Sequence, residues 1–259
     1  MLRLLTMKAP SGKPLGINFG YRIGAGVLVP VMRAITKRSW LGTERIPKSG
    51  PVVFYSNHLS YMDALVLAHY LFKNGRAPRF IGKEAVFKLP IIGWVLYKAE
   101  QIPVKRQSDS AAVALGEAIA ALKLGHAIAI YPEGTLTRDP NLWPMTGKTG
   151  AVRLALAAGA PLIPIAQWGD QEILPPYSKF PRIFPRKRVT LICGDPIDIS
   201  NWNGKVDDPQ AMEAATKFVM NELTQMVANL RNEVPPTELF DIRKSDLPRT
   251  GNFKKANKK

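Results

Sequence analysis

A largely parallel or mixed α/β sheet flanked by helices, preceded by an N-terminal helical membrane-associating segment, is the fold class this sequence predicts. Three observations predict it. Short apolar runs alternate with helix-length segments, which makes βα units with both sheet faces covered. Hydrophobic residues at 46% against 22% charged form a core and exclude a disordered chain. The 259 residues suffice for one large domain, with room for an appendage.

The elements follow in order. Residues Val52–Ser56 (VVFYS) read as a short buried strand, and residues 65–72 have helical spacing that ends at Asn74-Gly75. Residues 80–81 are strand-like. Residues 83–97 are apolar and aromatic, broken by Pro90 and Gly93. An Ala-rich helix spans residues 108–124 and stops at Gly125. Residues 126–131 (HAIAIY) form a strand, and residues 149–158 a helix ended by Gly159. Residues 161–167 (PLIPIAQ) and 189–193 (VTLIC) are further strands. Pro209–Arg231 is a long helix with apolar residues close to the 3.6 period. The organisation is therefore a basic amphipathic helical segment at 1–45, an αβ domain at 46–234, and an extended basic tail at 235–259.

Thirty-six Lys and Arg against twenty Asp and Glu give a net charge of +16, which calls for an anionic partner or surface. The excess concentrates in residues 1–50, which hold nine basic residues and one acid, Glu44. Residues 179–188 (KFPRIFPRKR) add five more with aromatics between them. Residues 23–32 (IGAGVLVPVM) are too few to span a bilayer, which takes roughly 18–20 apolar residues. The apolar piece after Arg3 is too short for a secretory signal. The N-terminus therefore reads as an interfacial segment on an anionic membrane, or as a helix packed on the protein's own core. The corresponding location is the cytoplasmic face of the cell membrane, peripheral or monotopic, with no signal peptide.

Several chemistries drop out. One cysteine, Cys193, excludes internal disulfides and multi-cysteine metal sites. Gly147-Lys148-Thr149 resembles the end of a phosphate loop, but the required upstream glycine position holds Leu142. There is no G-x-S-x-G, H-E-x-x-H or G-x-G-x-x-G. No metal site and no cofactor are assigned. His69 in an apolar helix and His126 at a strand start read as structural, and no nucleic-acid module is present.

Two strand-end turns carry the positive signal. The first, residues 56–63 (SNHLSYMD), joins a strand to a helix, where ligands of doubly wound sheets collect. His58 and Asp63 are too far apart to share a helix face. They meet only if His58 lies in the turn and Asp63 in the first helical turn. Ser60-x-x-Asp63 is a capping box that would start the helix at Ser60. On these residues alone, Asp63 is either a cap or the partner of a catalytic histidine. The second turn, residues 132–138 (PEGTLTR), offers Gly134 for close backbone approach, with Thr135, Thr137 and Arg138 as donors to phosphate oxygens. Lys83, Lys88 and Arg106 lie between the two turns. Together they point to acyl or phosphoryl transfer near a phosphorylated ligand, and the absence of magnesium-site signatures favours acyl transfer.

Asn57-His58-x4-Asp63 resembles the first motif of the glycerolipid acyltransferases, typified by bacterial 1-acyl-glycerol-3-phosphate acyltransferases. Lys83-Glu84, Pro90-x2-Gly93-Trp94 and Arg106 resemble the second motif. Tyr131-Pro132-Glu133-Gly134-Thr135, with Lys148-x-Gly150-Ala151 downstream, resembles the third, and Pro161-Leu162-Ile163-Pro164-Ile165 the fourth. The resemblance covers about residues 45–195. Two positions depart from it: Leu136 stands where the family often has Arg, and Glu100 where it commonly has Gly.

The resemblance implies a membrane-associated αβ domain and an acyl thioester donor, acyl-CoA or acyl-carrier protein, as co-substrate. It implies an acceptor that is a lysophosphatidate, with glycerol-3-phosphate or a glycolipid hydroxyl as the alternative. His58 would act as general base and Asp63 would orient it. Arg106, Arg138 and the Gly134–Thr135 amides would hold the acceptor phosphate beside Glu133, with Asn57 and Lys83 in support. The apolar residues 86–97 would line an acyl channel, dip into the bilayer, or form plain core. The non-enzymatic alternative is a basic adaptor that binds membranes or nucleic acid.

Overall fold

The computed structural model describes residues 16–104 and 108–248, with no side-chain description for residues 108–111. Arg106 and residues 249–259 of the basic tail lie outside them. The elements are α1 (Phe19–Ile35), β1 (Thr36–Leu41), β2 (Val52–Ser56), α2 (Asp63–Lys73), β3 (Arg79–Lys83), α3 (Glu84–Phe87), α4 (Pro90–Lys98), β4 (Ile102–Val104), α5 (Ser108–Lys123), β5 (Ala127–Ile130), α6 (Gly150–Ala158), β6 (Leu162–Trp168), α7 (Asp170–Ile173), β7 (Lys187–Cys193) and α8 (Pro209–Arg231).

Seven strands form one sheet in the order β1-β7-β6-β2-β5-β3-β4. Every pair is parallel except β6 with β7. The sheet is thus mixed, with a single antiparallel seam. The period-2 alternation of β2 divides the core. Val53 and Tyr55 join the cluster built with α5, α6 and α8, whereas Val52 and Phe54 join that of α1 and α2. Both faces are covered, which is why β2 is apolar throughout.

Three readings of the sequence are corrected here. Residues 36–41, placed in the N-terminal helical segment, form β1 and pair with β7 from Thr36↔Lys187 to Leu41↔Ile192. An edge strand tolerates the charges of TKRSWL because Lys37 and Arg38 are exposed to water. Residues 86–97 are not plain core: only Phe87 and Gly93 are buried there, while Ile91 is 79% exposed. The tail is not simply extended over 235–248, since Phe240 bridges to Met145 and the Arg243 guanidinium pairs with Glu213 and Asp241. Among the described residues no helix is long and apolar enough to cross a membrane.

Helix α1 lies directly on the end of α4. A Cβ on Gly20 would come within 2.2 Å of the Lys98 carbonyl carbon, so the absent side chain permits the contact. Phe19, Val27 and Val31 of α1 and Ile91, Ile92 and Trp94 of α4 remain exposed. The 179–188 loop is tied to the end of α1: Arg186 Nη2 donates to the carbonyls of Arg33 (2.8 Å) and Thr36 (2.6 Å). That loop carries Phe180 and Phe184 out into solvent.

Candidate active site

Strand β2 runs parallel between β5 and β6, with Tyr55 opposite Ile130 and Ser56 opposite Ile165. Three turns therefore open side by side at the carboxyl ends of these strands, the usual ligand position of such sheets. The first holds Asn57 and His58, the second Tyr131 to Arg138, and the third Gly169 and Asp170.

His58 and Asp63 meet. The Nδ1–Oδ2 separation is 2.8 Å, with His58 in the turn and Asp63 as the first residue of α2. Asp63 Oδ2 also accepts the backbone N–H groups of Leu59 (2.5 Å) and Ser60 (2.9 Å). The capping box is therefore half formed. Asp63 reaches back to the Ser60 amide, but Ser60 Oγ donates to the Leu174 carbonyl and accepts from Met62 N–H. The helix accordingly starts at Asp63, three residues later than expected.

The turn is locked from both sides. Asn57 exchanges hydrogen bonds with the Gln167 main chain, donating to its carbonyl (2.9 Å) and accepting its N–H (2.9 Å). Gln167 Nε2 returns one to the Asn57 carbonyl at 2.8 Å. Glu133 accepts the His58 N–H at Oε1 (2.8 Å) and the Met145 N–H at Oε2 (3.3 Å). The Thr137 N–H donates to the His58 carbonyl at 2.7 Å. The His58 ring stacks on Tyr131, with centroids 4.2 Å apart. Asn57 and Glu133 are thus buried braces that hold the His58 backbone.

With Nδ1 engaged by Asp63, Nε2 is the ring nitrogen left for chemistry, and 18% of the His58 side chain stays accessible. Burial, and secondarily the Lys83 ammonium, hold the imidazole well below its ordinary pKa, so His58 is neutral at neutral pH. An ionised Asp63 acts in the opposite sense. Burial raises the Asp63 carboxyl to about 8, with the Ser60 and Leu59 amides opposing the rise only in part. Burial likewise raises Glu133, opposed by the His58 and Met145 amides.

The other predicted site residues surround this pair. Gly134 adopts φ +67°, and the Lys148 Nζ lies against it, 3.0 Å from where a Cβ would stand. A side chain there would be strained and would push Lys148 aside. Thr135 meets the Tyr177 hydroxyl, which donates to the Leu136 carbonyl at 3.3 Å. Arg138 is buried with its guanidinium 4.8 Å from the Tyr177 ring centroid, so it is a core cation rather than a surface one. Lys83 ends β3 on the His58 side, and Cys193 is buried elsewhere in the sheet. The two departures from the family pattern also find places. Leu136 is buried, and Glu100, at φ +55° where glycine is unstrained, pairs with Arg79 at 2.5 Å.

Sequence reasoning missed Gln167, the stacking role of Tyr131, Lys148 as a neighbour of Gly134, and Asp170. Asp170 has no exposed surface and faces Asp63. Only the fourth motif, ending just before Gln167, hinted that β6 would reach the site.

Comparison with known proteins agrees with the geometry. The family model described as Acyltransferase matches residues 38–168, half of the chain, which takes in the first two turns and runs to the end of β6. A 1-acyl-sn-glycerol-3-phosphate acyltransferase of Brassica napus chloroplasts (BAT2) is 34% identical over 136 residues, covering 52% of this chain and 38% of that protein. A chloroplastic enzyme of the same name from Arabidopsis thaliana (LPAT1) is 32% identical over 179 residues, covering 68% of this chain and 47% of that protein. The chain thus spans about half or less of the length of these relatives. The crystal structure of the 1-acyl-sn-glycerophosphate (LPA) acyltransferase PlsC from Thermotoga maritima superposes with a TM-score of 0.60 at 21% identity, over 85% of this chain and 86% of that one, and so shares the fold. With the family model covering β2 to β6, the His58–Asp63 turn and the Glu133–Gly134 turn, this chain belongs to the acyltransferase family.

Proposed function

We propose that the protein is an O-acyltransferase that moves a fatty acyl group from an acyl thioester to the free hydroxyl of a lysophosphatidate, giving phosphatidate. The observation that carries this reading is the 2.8 Å His58–Asp63 bond at the mouth of β2. It fixes the tautomer with the proton on Nδ1 and leaves Nε2 as the base. Nε2 takes the proton from the acceptor hydroxyl as its oxygen attacks the thioester carbonyl. The tetrahedral intermediate then collapses, the carbon–sulfur bond breaks, and the imidazolium returns its proton to the departing thiolate. A thiol with a pKa of roughly 8.5, by analogy with cysteine, leaves readily. No acyl-enzyme is needed. Lys148 beside Gly134 and Arg138 make the neighbouring turn cationic and the Thr135 hydroxyl adds a donor, which supports a phosphate-bearing acceptor there. Arg106 is proposed from the family pattern as a further phosphate contact.

The test supplies acyl-CoA and acyl-carrier-protein donors to a panel of lysophosphatidate, glycerol-3-phosphate and glycolipid acceptors, with products read by mass spectrometry. Phosphatidate formed from lysophosphatidate is expected, and thiol release with no acylated lipid would sink the reading. A lowered His58 pKa keeps the base unprotonated in mild acid. The acid limb of kcat/KM is therefore expected below the ordinary histidine value of about 6.5, and a limb at or above it would show that the Asp63 carboxylate outweighs burial at His58.

The exposed apolar faces of α1 and α4 and the basic, aromatic 179–188 loop support docking to an anionic bilayer, the source of a lipid acceptor. Replacing Ile91 and Trp94 together by Ser removes two insertable side chains worth about 1.5–3 kcal/mol each when fully buried. Association with phosphatidylglycerol vesicles in flotation is expected to weaken about 10²–10⁴-fold. Undiminished flotation would remove this face from the interface.

A further inference from the structure

Behind the His58–Asp63 pair lies a set of polar atoms that the acyl-transfer mechanism leaves unused. Asp63 Oδ2 is fully engaged, but Asp63 Oδ1 has no hydrogen-bond partner. The same is true of both Asp170 carboxyl oxygens. Asp63 and Asp170 are each completely buried. They are 107 positions apart in sequence, and the chain turns at Gly169 (φ +105°) so that the Asp170 carboxyl reaches Asp63. The groups facing this contact are His58 from the first turn, Tyr131 and Glu133 from the second, and Gln167 at the end of β6. None of them is a cation, and the nearby Lys83 ammonium acts on His58.

Two ionised carboxylates cannot touch in a space closed to water, and a contact between two acceptors makes a bond only if one of them carries a proton. The hydrogen-bond inventory decides which. Burial raises both carboxyls, but Asp63 accepts two backbone N–H groups and the imidazole Nδ1–H, which favour its ionised form, whereas no donor lowers Asp170. We propose that Asp170 is a neutral carboxylic acid whose O–H donates to Asp63 Oδ1, making it the positioning residue that keeps Asp63 ionised and aimed at His58 Nδ1. The three side chains then form a chain, Asp170 to Asp63 to His58, with the proton at the buried end. The catalytic part of this assignment rests on His58 being the base.

Infrared difference spectra of wild type and Asp170→Asn at neutral pH test the proton directly. A carbonyl stretch of a neutral carboxylic acid is expected in the wild type and lost in the variant, and identical spectra would overturn the assignment. Kinetics test the donor. An amide N–H can replace the O–H, so Asp170→Asn should keep kcat within about threefold, while Asp170→Ala lowers it about 10–100-fold with little change in KM. An Asn variant as impaired as the Ala variant would reject the donor role. Stability provides a third readout. With Asp170 neutral in the fold and ionised above about pH 4 when unfolded, folding takes up a proton. Wild-type stability must therefore fall relative to Asp170→Asn as pH rises above about 4, and a constant difference in Tm would contradict this. The spectra and the Tm series need no substrate, so a failed acyltransferase reading and a failed Asp170 assignment are told apart.

Discussion

His58→Ala is expected to lower kcat for acyl transfer to lysophosphatidate by about 10²–10⁴-fold, the usual worth of a positioned general base. The change should be nearly confined to chemistry. The ring is partly exposed, and its structural share is one hydrogen bond to Asp63 and one stack on Tyr131. Their loss costs about 1–3 kcal/mol of stability, while the main-chain bonds to Glu133 and Thr137 survive because they use the His58 backbone. A thiol-release assay beside thermal unfolding separates the two effects. Turnover retained at more than a tenth of wild type in a folded variant would reject His58 as the base.

Glu133→Ala is expected to produce the largest loss of stability among the site substitutions, about 2–5 kcal/mol. Its buried carboxyl is the acceptor for the His58 and Met145 amides, so truncation strands two donors away from water. The turn that presents His58 then loses its brace to the second turn, and kcat should fall at least tenfold in whatever fraction stays folded. Glu133→Gln keeps one carbonyl acceptor and should fall between the two. Denaturant titration reads the first effect, and an Ala variant within 0.5 kcal/mol of wild type, the ordinary scatter of surface changes, would show that Glu133 is no brace.

Much of the architecture was legible because the signals were local. Apolar runs, Gly stops and the 3.6 period of Pro209–Arg231 each sit within one element, and that helix was placed to the residue. The His58–Asp63 meeting was also legible, since a turn followed by a helix start leaves few ways to place residues five apart. What escaped was set by contacts between distant segments. β1 is too charged to read as a strand, and only pairing with β7 makes it one. Glu133 looked like part of a phosphate loop, yet its partners are backbone amides that no side-chain pattern reveals. Asp170 sits one turn beyond the last recognised motif, and its importance appears only when its carboxyl is found against Asp63.

The close seat of Gly20 on Lys98–Ala99 has a kinetic consequence. It brings two exposed apolar surfaces side by side, and on the bilayer docking proposed above a lipid acceptor would arrive by sideways diffusion within its leaflet. Velocity would then follow the mole fraction of acceptor among its neighbours rather than its bulk molarity, and diluting the acceptor with inert lipid at constant total amount would slow the reaction.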